Sequence, residues 1–199
     1  MKNAETPVLK LVLLGAESCL GNALTVELLA RRHEVTAIVD DLNRHAPRPG
    51  LHLKIGGLGS ADQAEQSVAG GSAVIAVLPP GDPPAQRRMS EALLAGLART
   101  TIRRLLLVGD FARLEGAACE QRECMEHIVD GLQRSGLQWT VINAPGEVAG
   151  VSIEHFRSIE GTQEPGLAEP LRHLARVAAG MVDMLELGLH KGEHVNFVV

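Results

Sequence analysis

Seven apolar runs of strand length recur along the chain, and between them the apolar positions shift to helical spacing. The runs are Val8–Leu14, Glu34–Val39, Leu51–Ile55, Ala73–Leu78, Leu105–Val108, Trp139–Ile142 and His194–Val198. Helices are expected at about Leu20–Arg32, Ala61–Val68, Pro84–Arg99, Ala117–Ser135 and Pro170–Leu189. Runs that are apolar on both faces suit a parallel sheet covered by helices on each side. The alternation therefore predicts an α/β fold with a doubly wound parallel sheet, in a single domain over residues 1–199. With 199 residues and 45% hydrophobic content, the chain can bury a core of the size this needs. Ser60 is placed to cap the second helix at its start, and Gly136 to end the fourth. The least regular stretch, 146–169, is expected to form a substrate-side segment.

A formal charge of -5, with no Lys or Arg run longer than a pair, gives no electrostatic reason to bind nucleic acid. No stretch approaches the roughly 20 apolar residues that span a bilayer, so no membrane association is expected. Three cysteines cannot form a complete internal disulfide framework, and a reducing cytoplasm is the expected compartment.

The loop between the first strand and first helix reads "LLGAESCLGNAL", Leu13 to Leu24. Gly15 and Gly21 flank a turn that would present backbone N–H groups at a helix N-terminus to an anion. Ser18 stands where the middle glycine of a phosphate loop belongs. About twenty positions further on, "HEVTAIVDD" ends in Asp40 and Asp41, where a carboxylate commonly hydrogen-bonds an adenosine ribose.

The stretches "LLGAESCLGNALTVELLARRHEVTAIVDD", "VAGGSAVIAVL", "MSEALLAGL", "IRRLLLVGD", "LQRSGLQWTVINAPG" and "LARVAAGMVDMLELGLHKGEHVNF" span nearly the whole chain. In them the chain resembles the atypical short-chain dehydrogenase/reductases of the NAD(P)-binding, NmrA-like group, and within it the flavin reductase (biliverdin reductase B) type. The resemblance implies a Rossmann-like NAD(P)-binding fold with cofactor contacts at Gly15, Ser18, Cys19, Leu20, Gly21, Asp40, Leu78, Pro79, Gly109 and Pro145. It implies a reductase that passes hydride to a planar acceptor such as a flavin or quinone. A nucleotide-sensing protein that regulates a protein partner, and a scaffold that has lost its cofactor, are the alternatives.

Four departures from that pattern fall where such proteins touch the cofactor or do chemistry. Ser18 replaces the middle glycine. Asp40 replaces a basic residue that selects a 2′-phosphate, so NAD(H) is favoured over NADP(H); Arg44 lies one helical turn further on. Gly109-Asp110 replaces a Ser or Thr at the end of the fifth strand, and Asn143-Ala144-Pro145 replaces an Arg-Pro. The Tyr/Lys pair of the extended family is also missing: the chain has no tyrosine, and Lys2, Lys10, Lys54 and Lys191 all lie outside the helix that would hold it. Asp110 is the catalytic candidate, as a substrate-orienting group or proton donor.

Other constellations have simpler readings. Cys124 and His127 share a helix face near Cys119, but a zinc site needs a fourth ligand and no metal is expected. Cys19 sits at a helix N-terminus, where a thiol pKa falls, yet a small buried cysteine is the simpler reading. "LPPGDPP", Leu78 to Pro84, has four prolines that stiffen it and remove backbone donors, and it suits a wall. His155, Phe156 and Arg157 are candidates for a substrate pocket, and Trp139 for the core.

Overall fold

A computed structural model describes residues 7–44, 46–109, 111, 119–143, 148, 150–157 and 166–197. Among these residues seven strands, β1 (Lys10–Leu14), β2 (Glu34–Val39), β3 (Leu51–Ile55), β4 (Ala73–Val77), β5 (Arg104–Gly109), β6 (Gln138–Asn143) and β7 (Glu193–Val195), form one sheet in the order 3-2-1-4-5-6-7. Every neighbouring pair is parallel. The helices are α1 (Cys19–Ala30), α2 (Ala61–Val68), α3 (Pro83–Leu97), α4 (Cys119–Arg134), α5 (Ile153–Arg157) and α6 (Ala168–Glu186), with a single 3-10 turn at Leu42–Arg44. The doubly wound parallel sheet predicted from the alternation is the one observed. No helix among the described residues is long and apolar enough to cross a membrane.

Alternation along the strands builds two cores. Leu11, Leu13, Ile75, Leu106 and Val108 face α1 and α6. Val12, Leu14, Val74, Leu105 and Leu107 face α2, α3 and α4. Each central strand is thus buried on both faces, as its unbroken apolar sequence requires. Trp139, 8% exposed, belongs to the second core at the amino end of β6.

Several boundaries differ from the sequence reading for identifiable reasons. The first strand begins at Lys10 rather than Val8 because the Leu9 amide donates to His33 Nδ1 (3.2 Å) and Val8 stands in solvent. α1 stops two residues before the expected Arg32. Arg32 adopts φ +65, its amide donates to the Leu29 carbonyl (3.0 Å), and the His33 amide reaches the Leu28 carbonyl (3.0 Å). That is a Schellman ending without the glycine that normally announces it. α6 ends the same way at Gly188, whose amide meets the Leu185 carbonyl while Leu189 reaches Met184. The stretch 146–169, expected to be irregular, contributes α5 and the start of α6. Ser60 caps α2 as expected, accepting from the Gln63 amide at 3.2 Å.

Polar groups buried at the amino edge tie the layers together. His33 accepts from Leu9 at Nδ1, so its proton sits on Nε2 and is donated to Glu186 Oε1 at 2.9 Å. Glu186 also accepts from Arg31 Nη1 (2.7 Å), which is shared with Asp183 (2.6 Å), while Arg31 Nε meets Glu27 (2.7 Å). Burial opposes this guanidinium's charge, but the hydrogen bonds to Asp183, Glu27 and Glu186 outweigh it and hold its pKa above the ordinary value. The network locks the end of α1 to the end of α6. Arg104 staples the neighbouring strands, donating to the Gln138 carbonyl (2.9 Å), Thr140 Oγ1 (2.7 Å) and the Leu189 carbonyl (2.9 Å).

Two outcomes follow from these contacts. Glu186→Ala leaves the His33 N–H buried without an acceptor and is expected to cost about 1–3 kcal/mol, read by urea or thermal unfolding. Arg32→Gly removes a left-handed residue's strain of ~1–2 kcal/mol and loses part of that gain to the freer unfolded chain. A small net stabilisation is expected, and a loss of stability in the same assay would contradict it.

Candidate functional site

Strand order reverses direction between β1 and β4, and in open α/β sheets ligands bind beyond the carboxyl ends of the strands at that point. A cleft of about 380 Å³ lies there, lined by residues that include Gly15, Glu17, Ser18, Asp40, Leu78 and Pro79. Its size is in the range of small-molecule sites.

The glycine loop is shaped by two close backbone approaches. Gly15 has φ +75, and a Cβ there would lie 2.3 Å from the Val77 carbonyl oxygen of β4. A Cβ on Gly21 would lie 2.2 Å from the Gly15 carbonyl oxygen and 2.8 Å from Ala16 backbone. The first glycine makes the turn, and the second lets α1 press directly onto it. A dinucleotide phosphate needs a cradle of this shape, with a helix N-terminus aimed into it.

Ser18 is the N-cap of α1. Its hydroxyl accepts from the Gly21 amide at 2.9 Å and donates to the Gly15 carbonyl at 2.8 Å. The side chain thus closes the loop internally, and its proton already has an acceptor. The sequence shows the serine at the glycine position but not that both hydrogen-bonding roles are filled within the loop.

Gly15, Ser18, Asp40, Leu78 and Pro79 converge on the cleft. The side chains of Cys19 and Leu20 do not: they are 4% and 2% exposed and face the α1–α6 core. Gly21 acts behind the loop rather than on the cleft surface. Gly109 is buried at the end of β5 under the Phe111 ring, whose Cζ would lie 2.7 Å from a Cβ placed there. Asp110, Pro145 and the side chains of Arg44, Cys119 and Arg157 lie outside the described residues.

The sequence reading missed Glu17, Ile38, Gly56, Gly57, Leu58 and Met89, which also line the cleft, while Pro80 falls in the stretch expected to form a wall. Gly56 and Gly57 follow β3 at the same sheet edge, and that was the available signal. The loop they form packs on α2: the Gly57 amide donates to Ser67 Oγ at 2.9 Å, and a Cβ on Gly56 would lie 2.4 Å from that oxygen. Opposite, Gln86 donates to the Pro79 carbonyl (2.8 Å) and fixes the proline wall. Among the described lining residues the charged side chains are Glu17 and Asp40, both acidic.

The remaining candidates sit elsewhere. Cys124 donates its thiol to the Pro83 carbonyl (3.1 Å), and burial pushes its pKa up, away from the thiolate a metal would need. His127 instead meets Glu91 Oε1 at 2.7 Å. No three metal-ligating side chains converge among the described residues. His155 turns back on its own segment, its Nδ1 accepting from the Ser152 amide at 3.1 Å, and Phe156 is buried against the α1–α6 core. A neighbouring recess of about 260 Å³, between the glycine loop and α5, shares Glu17 with the cleft and contains Asn22, which donates to the Val151 carbonyl at 3.2 Å.

No curated protein matches the sequence. Among solved structures, a proposed epimerase from Bacteroides thetaiotaomicron is 22% identical, with a TM-score of 0.68 over 96% of each chain. A proposed NADH-flavin reductase from Streptococcus pneumoniae is 22% identical, with a TM-score of 0.64 over 94% of this chain and 98% of that one. A Rossmann-fold NAD(P)-binding family protein from Shigella flexneri is 17% identical, with a TM-score of 0.67 over 96% and 93%. These likenesses show the shared fold. The NAD(P)H-binding family matches residues 15–186, from the first glycine of the loop to the last residue of α6, and the chain belongs to that family.

Proposed function

We propose that this chain binds NAD(H) in preference to NADP(H) at the Gly15 cleft and is a reductase of the NmrA-like, flavin-reductase type. The observation that carries the reading is the convergence of Gly15, Ser18 and Asp40 on one cleft at the switch point of the sheet. When bound, the dinucleotide supplies hydride to a planar acceptor such as a flavin or quinone. The name given to the Streptococcus pneumoniae neighbour is in keeping with that acceptor class.

The residues divide the work by position. Gly15 and Gly21 keep side chains out of the cradle, so the start of α1 faces the pyrophosphate. Asp40, at the end of β2, accepts from an adenosine ribose hydroxyl. Its charge and that of Glu17 oppose a 2′-phosphate. Leu78, Pro79 and Pro80 form the wall between the β1 and β4 ends. The chain has no tyrosine to deliver a proton, so the acceptor takes it from solvent. Asp110, directly after β5 in sequence, is proposed to orient the acceptor.

Two experiments test this. Repulsion between charges ~4 Å apart is about 1 kcal/mol in water and larger when desolvated. Asp40→Ala is therefore expected to raise NADPH affinity relative to NADH several-fold in a fluorescence titration. An unchanged ratio would remove Asp40 from the ribose contact. Ser18→Gly frees the Gly21 amide and opens the space of a side chain beside the phosphates, and it costs only a few tenths of a kcal/mol of helix capping. NADH is expected to bind that variant more tightly, and weaker binding would show the hydroxyl re-aimed as a ligand.

A further inference from the structure

One stripe of α1 lines two adjoining hollows. Asn22, Val26, Leu29 and Ala30 stand at positions i, i+4, i+7 and i+8 of the helix and so share a face. Asn22 lies in the recess of about 260 Å³, and Val26, Leu29 and Ala30 carry the stripe on into a groove of about 530 Å³. Ala46, Arg48, Ile153 and Glu154 line both, so the two form one channel along the helix. At the rise of an α-helix, Asn22 and Ala30 are about 12 Å apart.

The channel lies where the fold omits a helix. Right-handed crossovers taken in one direction along a sheet fall on the same face, so a helix between β2 and β3 would flank α1. The described chain there carries only the 3-10 turn at Leu42–Arg44 and the loop 46–49. α1 nevertheless has the sequence of a helix covered all round: in CLGNALTVELLA the one charged residue is Glu27. Val26 and Leu29 are left half-buried, and Ala30 is exposed.

The recess end of the channel is polar. Asn22 is 5% exposed, and its Nδ2 faces the Val151 carbonyl (3.2 Å) and the Glu17 carbonyl (3.5 Å). Two carbonyl neighbours fix which end of the amide is nitrogen and take both its protons. Oδ1 has no donor among the described residues, yet it is not sealed from solvent. An acceptor so deeply placed is costly to leave unpaired, so the recess suits a ligand that brings a donor. Around it stand the carboxylates of Glu17 and Glu154, with Arg48 paired to Glu154 between the two walls. An ammonium head complements these acceptors, whereas an anionic head would meet carboxylates. Past the Arg48–Glu154 pair the lining turns apolar, with Val26, Leu29, Ala30, Pro47, Pro49 and Ile153.

We infer that this channel is a second binding site, for an amphipathic amine. The ammonium donates to Asn22 Oδ1, and the apolar body lies along Val26 and Leu29 toward Ala30. Among the described lining residues the channel and the dinucleotide cleft share Glu17 alone, so the site does not rest on the proposed cofactor.

Titration of the full chain with octylamine, followed by two-dimensional amide NMR spectra in the absence of nucleotide, tests the inference. Saturable shifts are expected at the Asn22 side-chain amide and at the backbone amides of Val26, Ala30 and Ile153. Octanoate, with the same body and the opposite charge, is expected to bind about tenfold more weakly or worse. Asn22→Leu removes the acceptor and should weaken octylamine several-fold. That variant also loses the contact to Val151, so Ala30→Trp, which fills the groove from an exposed position, provides the independent check and should weaken octylamine as well. Octanoate binding as tightly as octylamine, shifts centred on Gly15 and Gly57 instead, shifts that never saturate, or octylamine binding unchanged in Ala30→Trp would each overturn the inference. None of these results bears on the dinucleotide reading, which is tested by NADH.

Discussion

The contact on which the site depends is between two pieces of backbone. α1 meets the turn before it so closely that Gly21 sits against the Gly15 carbonyl, where a single methyl group would lie 2.2 Å from oxygen. That proximity lets the helix start directly at the carboxyl edge of β1, with its N-terminal amides toward the cleft. It also brings Ser18 within reach of both glycines, so one hydroxyl can bridge the Gly15 carbonyl and the Gly21 amide. Side chains decorate this arrangement, but the absence of two of them creates it.

Around it, the two faces of the sheet are built by the simplest rule in the structure. Alternate residues of each central strand enter one core or the other, and the parallel strands are joined through α-helices except at β2–β3, where the described connection carries only the 3-10 turn at Leu42–Arg44. The polar stitching is concentrated at the amino edge, in the Arg31–Glu186–His33 network and at Arg104. The chain thus secures the end of the sheet remote from the cleft and leaves the carboxyl edge to loops, which is the division of labour expected of a scaffold that carries a site.

Much of this was legible in the residues. The apolar patterns place β2, β3 and α2 at their observed limits: charged residues bound β2, Pro49-Gly50 and Gly56-Gly57 bound β3, and the capping Ser60 starts α2. Where the punctuation is unusual the reading failed: Arg32 ends α1 in a conformation normally given to glycine, and nothing in its side chain announces that. In the site, Gly15, Asp40 and the Leu78–Pro79 wall were accessible because each follows a strand. Gly56 and Gly57 follow a strand too but resemble an ordinary turn. Cys19 and Leu20 flank the loop in sequence, yet their helical phase turns them into the core. The burial of Phe111 over Gly109 goes with a hydrogen bond from the Phe111 amide to the Gly109 carbonyl (3.0 Å), a contact that composition and spacing do not encode.

The Asn22 side chain joins the glycine loop to a distant part of the chain. Buried on the first turn of α1, it donates to the Val151 carbonyl, 129 positions away, and Arg48 in the loop before β3 grips Glu154 of α5 from the other side. The 150–157 segment is therefore hung from the same helix whose tip faces the cleft. The phosphate end of the cleft and the wall of the neighbouring recess therefore share one support, the first turn of α1.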